Sequence, residues 1–413
     1  MEAPNPRSKY KIGVICALPH ERTAVESILD AHHVPLPAVA NDVNTYSFGS
    51  VGLHNVVVAS LGSGSYGTVS AAEVANDIRH SFPAIKLGFM VGIASAAPQP
   101  FAKNGDVRLG NVVVGCVNGV PSVVHFGSGK ETAAGFDVRS ELAEPPAAIQ
   151  RAVSALQSKH QQEGPTYLNH LQLMLKRNPR LDRPQIAKDY YNLPDTSDVL
   201  FATTAIHDPG REDCVLCRQE EDAVISRRPR FLRDPPDNIG DVKFVRYRQD
   251  GFADYPQVHY GTIASSDVLM KNGTERDLVV QRVKAQRKAD VLCFEMEAAG
   301  IVKNWPCLII RGICDYSDSH KNDAWQNFAA ATAAAYTKDL LLRIPAESVD
   351  TAPRVGEVMN HCDGQDHEQN ARTSARSSQA DFGVTNQYNL SQYRGSNNKQ
   401  YNAGYIMFGS DDH

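Results

Sequence analysis

From residue 10 to about 344, continuous apolar runs alternate with stretches of helical period. Residues 11–18, KIGVICAL, are apolar after the opening lysine, the pattern of a strand covered on both faces. Pro19 then suits the first turn of a helix running to about residue 30. Residues 45–52 and 56–61 read as a strand pair, 68–82 as a helix and 87–92 as another buried strand. Strands over 107–114 and 122–126 follow, then helices over 146–160 and 167–176. Between about 177 and 255 the chain is rich in Pro and Arg with weak periodicity, which predicts an irregular insertion. Alternation resumes with a strand at 258–264, a helix at 275–284 and a strand at 291–295 that leads into a helix. A strand at 308–313 and an Ala-rich helix at 324–342 close the pattern. Strands alternating with helices predict an α/β fold of three layers, α/β/α, around a central mixed sheet.

After Pro345 the pattern stops. Residues 350–413 are rich in Asn, Gln, Ser, Gly and Asp and poor in aliphatics. The sequence therefore predicts a core of residues 9–344 and a disordered low-complexity tail of residues 345–413. In that tail Asn386-Gln387-Tyr388-Asn389 returns as Lys399-Gln400-Tyr401-Asn402, and Tyr405-Ile406-Met407-Phe408 follows. Alternating amides and tyrosines can stack into amide ladders and aromatic columns, so residues 382–410 are a candidate for amyloid-type contact. The plainer reading is an ordinary polar linker.

Composition narrows the class. With 42 Lys and Arg against 47 Asp and Glu, the net charge is −5, which gives no drive toward nucleic acid or an anionic membrane. A hydrophobic share of 42 % is enough for a packed core. No apolar run reaches the length of a membrane span, and residues 1–11 are polar, without the apolar stretch of a signal peptide. The eight cysteines are scattered, several within apolar runs, which suits buried thiols in a reducing compartment. A cytoplasmic protein without a cofactor is expected.

Gly62-Ser63-Gly64-Ser65-Tyr66-Gly67 matches the G-x-G-x-x-G of dinucleotide-binding turns. The strand after it ends without the acid that would hold a ribose hydroxyl, and the first strand-to-helix turn has no glycine. The better reading is a turn whose small residues let backbone approach a ligand, with the helix N-terminus at Thr68 offering amides to an anion or water. Gly127-Ser128-Gly129-Lys130 lacks the spacing of a phosphate-binding loop. Carboxylates at strand ends carry more weight. Glu21 follows the first strand, Glu295 and Glu297 lie at the end of the strand that begins at 291, and Asp315 follows the strand that begins at 308. Ligands of α/β sheets collect at such edges. For each acid alone, a helix cap satisfied by amides is the plainer role. Three such strand ends at once point to a site.

Three segments together make the sequence recognisable: residues 12–21 (IGVICALPHE), 294–298 (FEMEA) and 311–315 (RGICD). They resemble the signatures of the nucleoside phosphorylase/nucleosidase superfamily, over about residues 9–343. His320-Lys321-Asn322 and the Ala-rich helix after it resemble a branch found in fungi within innate-immune-type receptors. The resemblance implies a nucleoside phosphorylase-like fold, a purine nucleoside or nucleotide as ligand, and a homo-oligomer. It implies Asp315 as the acid to the leaving base, Glu297 and Met296 at the ribose, and Leu269, Met270 and Phe294 at the base. Leu269 and Met270 depart from members that stack a Phe there. It also implies that Gly64, Ser65, Gly92 and Ile93 form the loops around the attacking water or anion. A general acid of this kind needs a raised pKa, which burial would supply.

The nucleophile decides between two reactions. Phosphorolysis needs cations and hydroxyls around a phosphate dianion. Where the superfamily's phosphorylases keep Arg and Ser, this chain has Met90-Val91-Gly92-Ile93. Glu21 falls where the hydrolases place the carboxylate that activates water. Hydrolysis of adenosine or ATP is the favoured reading. A phosphate-dependent phosphorylase and a catalytically inactive nucleoside-binding signalling module are the alternatives. For a nucleotide, Arg228 and Arg230, in a cluster with Arg227 and Arg233, and His320 with Lys321 are candidate phosphate contacts; a solvated loop face is the plainer reading of the arginines. Cys214-x-x-Cys217 with His207 nearby has metal-like spacing, yet no second C-x-x-C or H-x-x-x-H follows, so no metal is expected.

Overall fold

A computed structural model describes residues 6–99, 106–116, 119–133, 135–141, 144–182, 191, 198–207, 217, 223–225, 246–247, 253–302 and 304–358. Residues 363–413 make up a second unit that lies wholly outside the described residues, as do the tail repeat, Cys214 and the arginines at 227–233.

The first unit is built on β1 (Ile12–Cys16), β2 (Ser47–Val51), β3 (His54–Ser60), β4 (Leu87–Ala96), β5 (Val112–Val114), β6 (Val123–Thr132), β7 (Gly135–Glu141), β8 (Val258–Tyr260), β9 (Thr262–Ser265), β10 (Val291–Glu295) and β11 (Cys307–Asp315). The helices are α1 (Pro19–Ser27), α2 (Thr68–Ser81), α3 (Ala147–Glu163), α4 (Tyr167–Arg177), α5 (Gly273–Arg287), α6 (Ala298–Ile301), α7 (Gln326–Leu341) and α8 (Ala346–Thr351). One mixed sheet runs β2-β3-β1-β4-β10-β9-β6-β7, with β11 pairing the other edge of β4 and also β5, and β5 pairing β8. β1 is parallel to β3 and β4, and β4 is parallel to β11, so the ends that carry Cys16, Ala96 and Asp315 face the same way.

Period-two alternation distributes the core over both faces. In β1, Ile12, Val14 and Cys16 pack with α1, α4 and α7, while Ile15 packs with α2 and Trp305. β4 and β11 divide likewise, Phe89 and Leu308 to one side, Met90 and Ile309 to the other. This is why these strands read as unbroken apolar runs. The alanines of α7 have a specific reason. A Cβ on Gly312 of β11 would lie 1.8 Å from the Ala329 carbonyl oxygen, so helix and strand backbones touch, and larger side chains would separate them.

Three boundaries differ from those expected. The strand expected at 107–114 is paired only over Val112–Val114. The strand expected at 122–126 runs on to Thr132 and turns into β7. Its glycines look like loop in sequence, but a Cβ on Gly129 would meet the Asp137 carbonyl at 2.1 Å, so they allow close strand approach. The packed chain also continues past residue 345. α8 buries Val349, and Val355 is buried with its amide donating to the Ile85 carbonyl. No described helix is long and apolar enough to cross a membrane.

Candidate active site

A cleft of about 510 Å³ opens at the strand ends. Its walls include Glu21, Ile93, Phe294, Met296, Glu297 and Lys321. A larger cavity of about 800 Å³ lies elsewhere, walled by Ala148, Ala152, Val302, Pro345 and Val355, and contains none of the strand-end acids. The smaller one is where the strand-end acids Glu21, Glu295 and Glu297 gather.

Glu21 sits in the first turn of α1, directly after β1, and is buried. Its Oε2 accepts from the amides of Ala17 (2.7 Å) and Leu18 (2.9 Å), and its Oε1 from the amide of Ile93 (2.7 Å). A Cβ on Gly92 would come within 2.4 Å of both Glu21 Oε1 and Arg311 Nη1, so only glycine fits at that position. Gly92 and Ile93 thus fix the carboxylate, one by its missing side chain and one by its amide.

Behind Glu21 lies a buried charge cluster. Arg311 is fully buried in the middle of β11, with Nη2 bonded to Glu295 and 3.6 Å from Glu297. Its Nε and Nη1 find no partner among the described residues. Glu295 also accepts from the amides of Glu297 and Ala298, so it caps α6. Among the described residues, Glu297 accepts only a long bond, 3.3 Å, from the Gly67 amide. Three carboxylates share one guanidinium. Burial first, then Glu295 and Glu21, push Glu297 up to about 7, against the pull of Arg311.

Asp315 is buried and is not itself part of the cleft wall; it accepts from the Ser317 amide at 3.0 Å and is ion-paired with Lys321, which is part of that wall. Burial lowers the Lys321 pKa, and the charge and hydrogen bond of Asp315 contribute to a net rise. Burial of Asp315 is as expected, but a cation bonded to it was not.

The remaining expected residues divide. Leu269, Met270, Phe294 and Met296 line the cleft; Phe294 is braced edge-on by Phe126 at 5.4 Å. Gly64 and Ser65 are exposed and form the tip of a turn closed by the Ser65 amide on the Gly62 carbonyl; Tyr66 reaches the cleft instead. The amide of Thr68 is taken by the protein's own Asp267 at 2.7 Å, so that helix end is already capped. His320 is not part of the cleft wall. Its ring stacks on Phe201 at 3.6 Å, and burial and His207 pull its pKa down to about 4. Of the expected pair His320 and Lys321, only Lys321 is on the cleft wall. Two residues had not been singled out. Arg311 was readable as a charge inside an apolar strand. Asp267 had no signal in the sequence.

No family model matches the chain. It is 30 % identical over 343 residues to a nucleotide-binding leucine-rich repeat (NLR)-like protein of Hyaloscypha variabilis, covering 83 % of this chain and 30 % of that protein. Over 90 residues it is 36 % identical to the ATP nucleosidase Cap17 of Escherichia coli, 20 % of this chain and 17 % of that protein. The chain thus spans less than a third of the length of either relative. Among solved structures, futalosine hydrolase of Helicobacter pylori is 14 % identical with a TM-score of 0.46, covering 81 % of this chain and 99 % of that one. The 5'-methylthioadenosine/S-adenosylhomocysteine nucleosidase of Neisseria meningitidis is 15 % identical with a TM-score of 0.46, covering 80 % and 98 %.

Proposed function

We propose that this chain, which resembles the nucleoside phosphorylase/nucleosidase superfamily in its motifs and has a sequence relative named as an ATP nucleosidase, hydrolyses the N-glycosidic bond of a purine nucleoside or nucleotide. Adenosine and ATP are the favoured substrates. The observation that carries the reading is the placement of Glu21. A buried carboxylate, held by three amides, occupies the wall where a phosphate nucleophile would need cations. It would repel a phosphate dianion and accept a proton from water. Among the described residues of the cleft wall, the cations are Lys271 and Lys321, and no arginine is present.

The other groups follow from what N-glycosidic cleavage demands. The sugar becomes cationic as the bond breaks, and the base leaves with negative charge unless protonated. Glu297 and Met296 lie together on the cleft wall and would hold the ribose. Glu297 gains most from approaching positive charge, because Arg311 compensates it poorly. The Asp315–Lys321 pair would serve the base, the ammonium proton passing through the carboxylate as the base departs. Leu269, Met270 and Phe294 supply apolar contact to the purine.

The test is incubation of the full chain with ATP, adenosine, guanosine and inosine, with and without phosphate, and separation of the products. Free adenine without phosphate is expected, with Asp315→Ala slower by about 10²–10⁴-fold. A strict phosphate requirement would sink the hydrolytic reading. Release of no base from any substrate would favour a binding module, a reading that the NLR-like relative's name supports.

A further inference from the structure

A second cluster lies outside the cleft and is not used by the chemistry above. His207 and Cys217 come from the insertion and His320 from the loop after β11, and one ligand atom of each lies within 4.8 Å of the others. Cys217 Sγ is 3.6 Å from His207 Nδ1. Zinc ligands at about 2.3 Å for sulfur and 2.0–2.1 Å for nitrogen stand about 3.6 Å apart at the tetrahedral angle. His320 provides the independent sign. It is 7 % exposed, and neither ring nitrogen has a hydrogen-bond partner among the described residues. A buried imidazole with both nitrogens idle is costly unless something fills it. Asp318 Oδ1 lies 3.8 Å from His320 Nδ1, close to where a carboxylate orients a ligating imidazole.

We propose that His207, Cys217 and His320 bind one zinc ion that fastens the insertion to the loop following β11. Two imidazoles and a thiol are a zinc-type donor set. On binding, the Cys217 thiol gives its proton to solvent and the sulfur coordinates as thiolate, while the imidazoles coordinate neutral. In the sequence Cys214 precedes Cys217 at the spacing common in zinc sites. The further ligand that local spacing could not show is His320, contributed from far downstream. Existing contacts already run along the same seam. Phe201 stacks on His320, the His207 amide donates to Ser319 Oγ at 2.9 Å, and Arg276 of α5 bridges the two sides, donating to the Tyr316 carbonyl at 2.8 Å and to Thr203 Oγ1 at 3.2 Å. The ion would thereby steady the residue next to Lys321, the partner of Asp315. Its presence is independent of whether the cleft is catalytic.

The full chain, purified without a metal-binding tag from zinc-supplied cells and passed through metal-free buffer, is analysed for metals by mass spectrometry. About one zinc per chain is expected. Cys217→Ser and His320→Ala should each retain less than about a tenth of that, while Cys116→Ser retains it all. Because the first two variants could misfold, cobalt is also exchanged into the wild type, where a thiolate-to-cobalt charge-transfer band is expected. Wild type that holds no zinc and takes up neither zinc nor cobalt overturns the site. So does full zinc retention in folded Cys217→Ser and His320→Ala.

Discussion

Glu297 in the cleft and Asp339 on α7 are both buried carboxylates, and their surroundings move them in opposite directions. Asp339 accepts from His160 Nε2 at 2.9 Å and Thr166 Oγ1 at 2.5 Å, and His170 Nε2 lies 3.7 Å away. Burial pushes its pKa up, and these partners outweigh burial and hold it well below the usual carboxylate range. Glu297 has one long amide bond and a share of one guanidinium, so burial wins and it rises to about 7. The two acids are similarly hidden from water; only the compensation differs. An acid with its partners supplied by the fold is structural. An acid left short of them beside a cleft is poised for a ligand to complete it.

The comparison breaks most severely at Arg311. Arg311→Met keeps the bulk but leaves Glu21, Glu295 and Glu297 without the guanidinium they share. Breaking a buried pair from one side costs about 3–5 kcal/mol. Urea melts at pH 7 should show a loss of that size, shrinking as pH falls and the carboxylates protonate. A loss under about 1 kcal/mol would mean that water already compensates the cluster.

Next comes the pH dependence of Glu297. Its folded pKa lies above the unfolded carboxylate value of about 4.3, so the folded state binds the extra proton. Its contribution to stability is therefore greatest below about pH 4 and is lost as pH rises through about 7. Glu297→Gln should remove this slope and gain up to about 3 kcal/mol over wild type across that window. Sugar binding and turnover should fall in the same variant. Parallel stability curves for the two proteins from pH 4 to 8 would place Glu297 with Asp339 among satisfied acids.

Much of this contrast was legible before folding. β1 and β10 are apolar runs, and β11 is one interrupted only by Arg311, because both faces are covered, and each delivers an acid near its end. Glu21, Glu297 and Asp315 could therefore be named from sequence. Their partners could not. Lys321 reaches Asp315 across a turn, and Asp267 caps α2 from far along the chain; such pairs depend on where loops close, which no local period encodes. Gly127 and Gly129 misled because the same residue serves turns and close-packed strands. His320 misled through its neighbour. It adjoins Lys321 in sequence, yet it stacks on Phe201 while Lys321 lines the cleft. Asp339 lay inside an Ala-rich run whose period gave no hint that two histidines and a threonine from α3, α4 and the turn between them would meet it.

Asp339→Asn tests the satisfied side of the comparison and carries the smallest effect. The amide keeps the size and one acceptor oxygen, but puts an N–H₂ either where Oδ2 faced His160 and Thr166 or where Oδ1 faced His170. Losing one charged acceptor while its donors stay buried costs about 1–3 kcal/mol. The sign with pH is opposite to that of Glu297. Asp339 has a depressed folded pKa, so its contribution is fully present above the unfolded value of about 3.9 and fades as pH falls below it. The variant should therefore lose stability at pH 7, and the gap to wild type should narrow in acid. Asp339 does not line the cleft, so the rate of base release by folded protein should stay within about twofold of wild type. Urea melts from pH 3 to 7, paired with product chromatography, check both halves. A variant as stable as wild type at pH 7 would show that the histidines find other acceptors. A large loss of turnover in folded protein would show that α7 transmits strain to Asp315 through the close contact of Ala329 with Gly312.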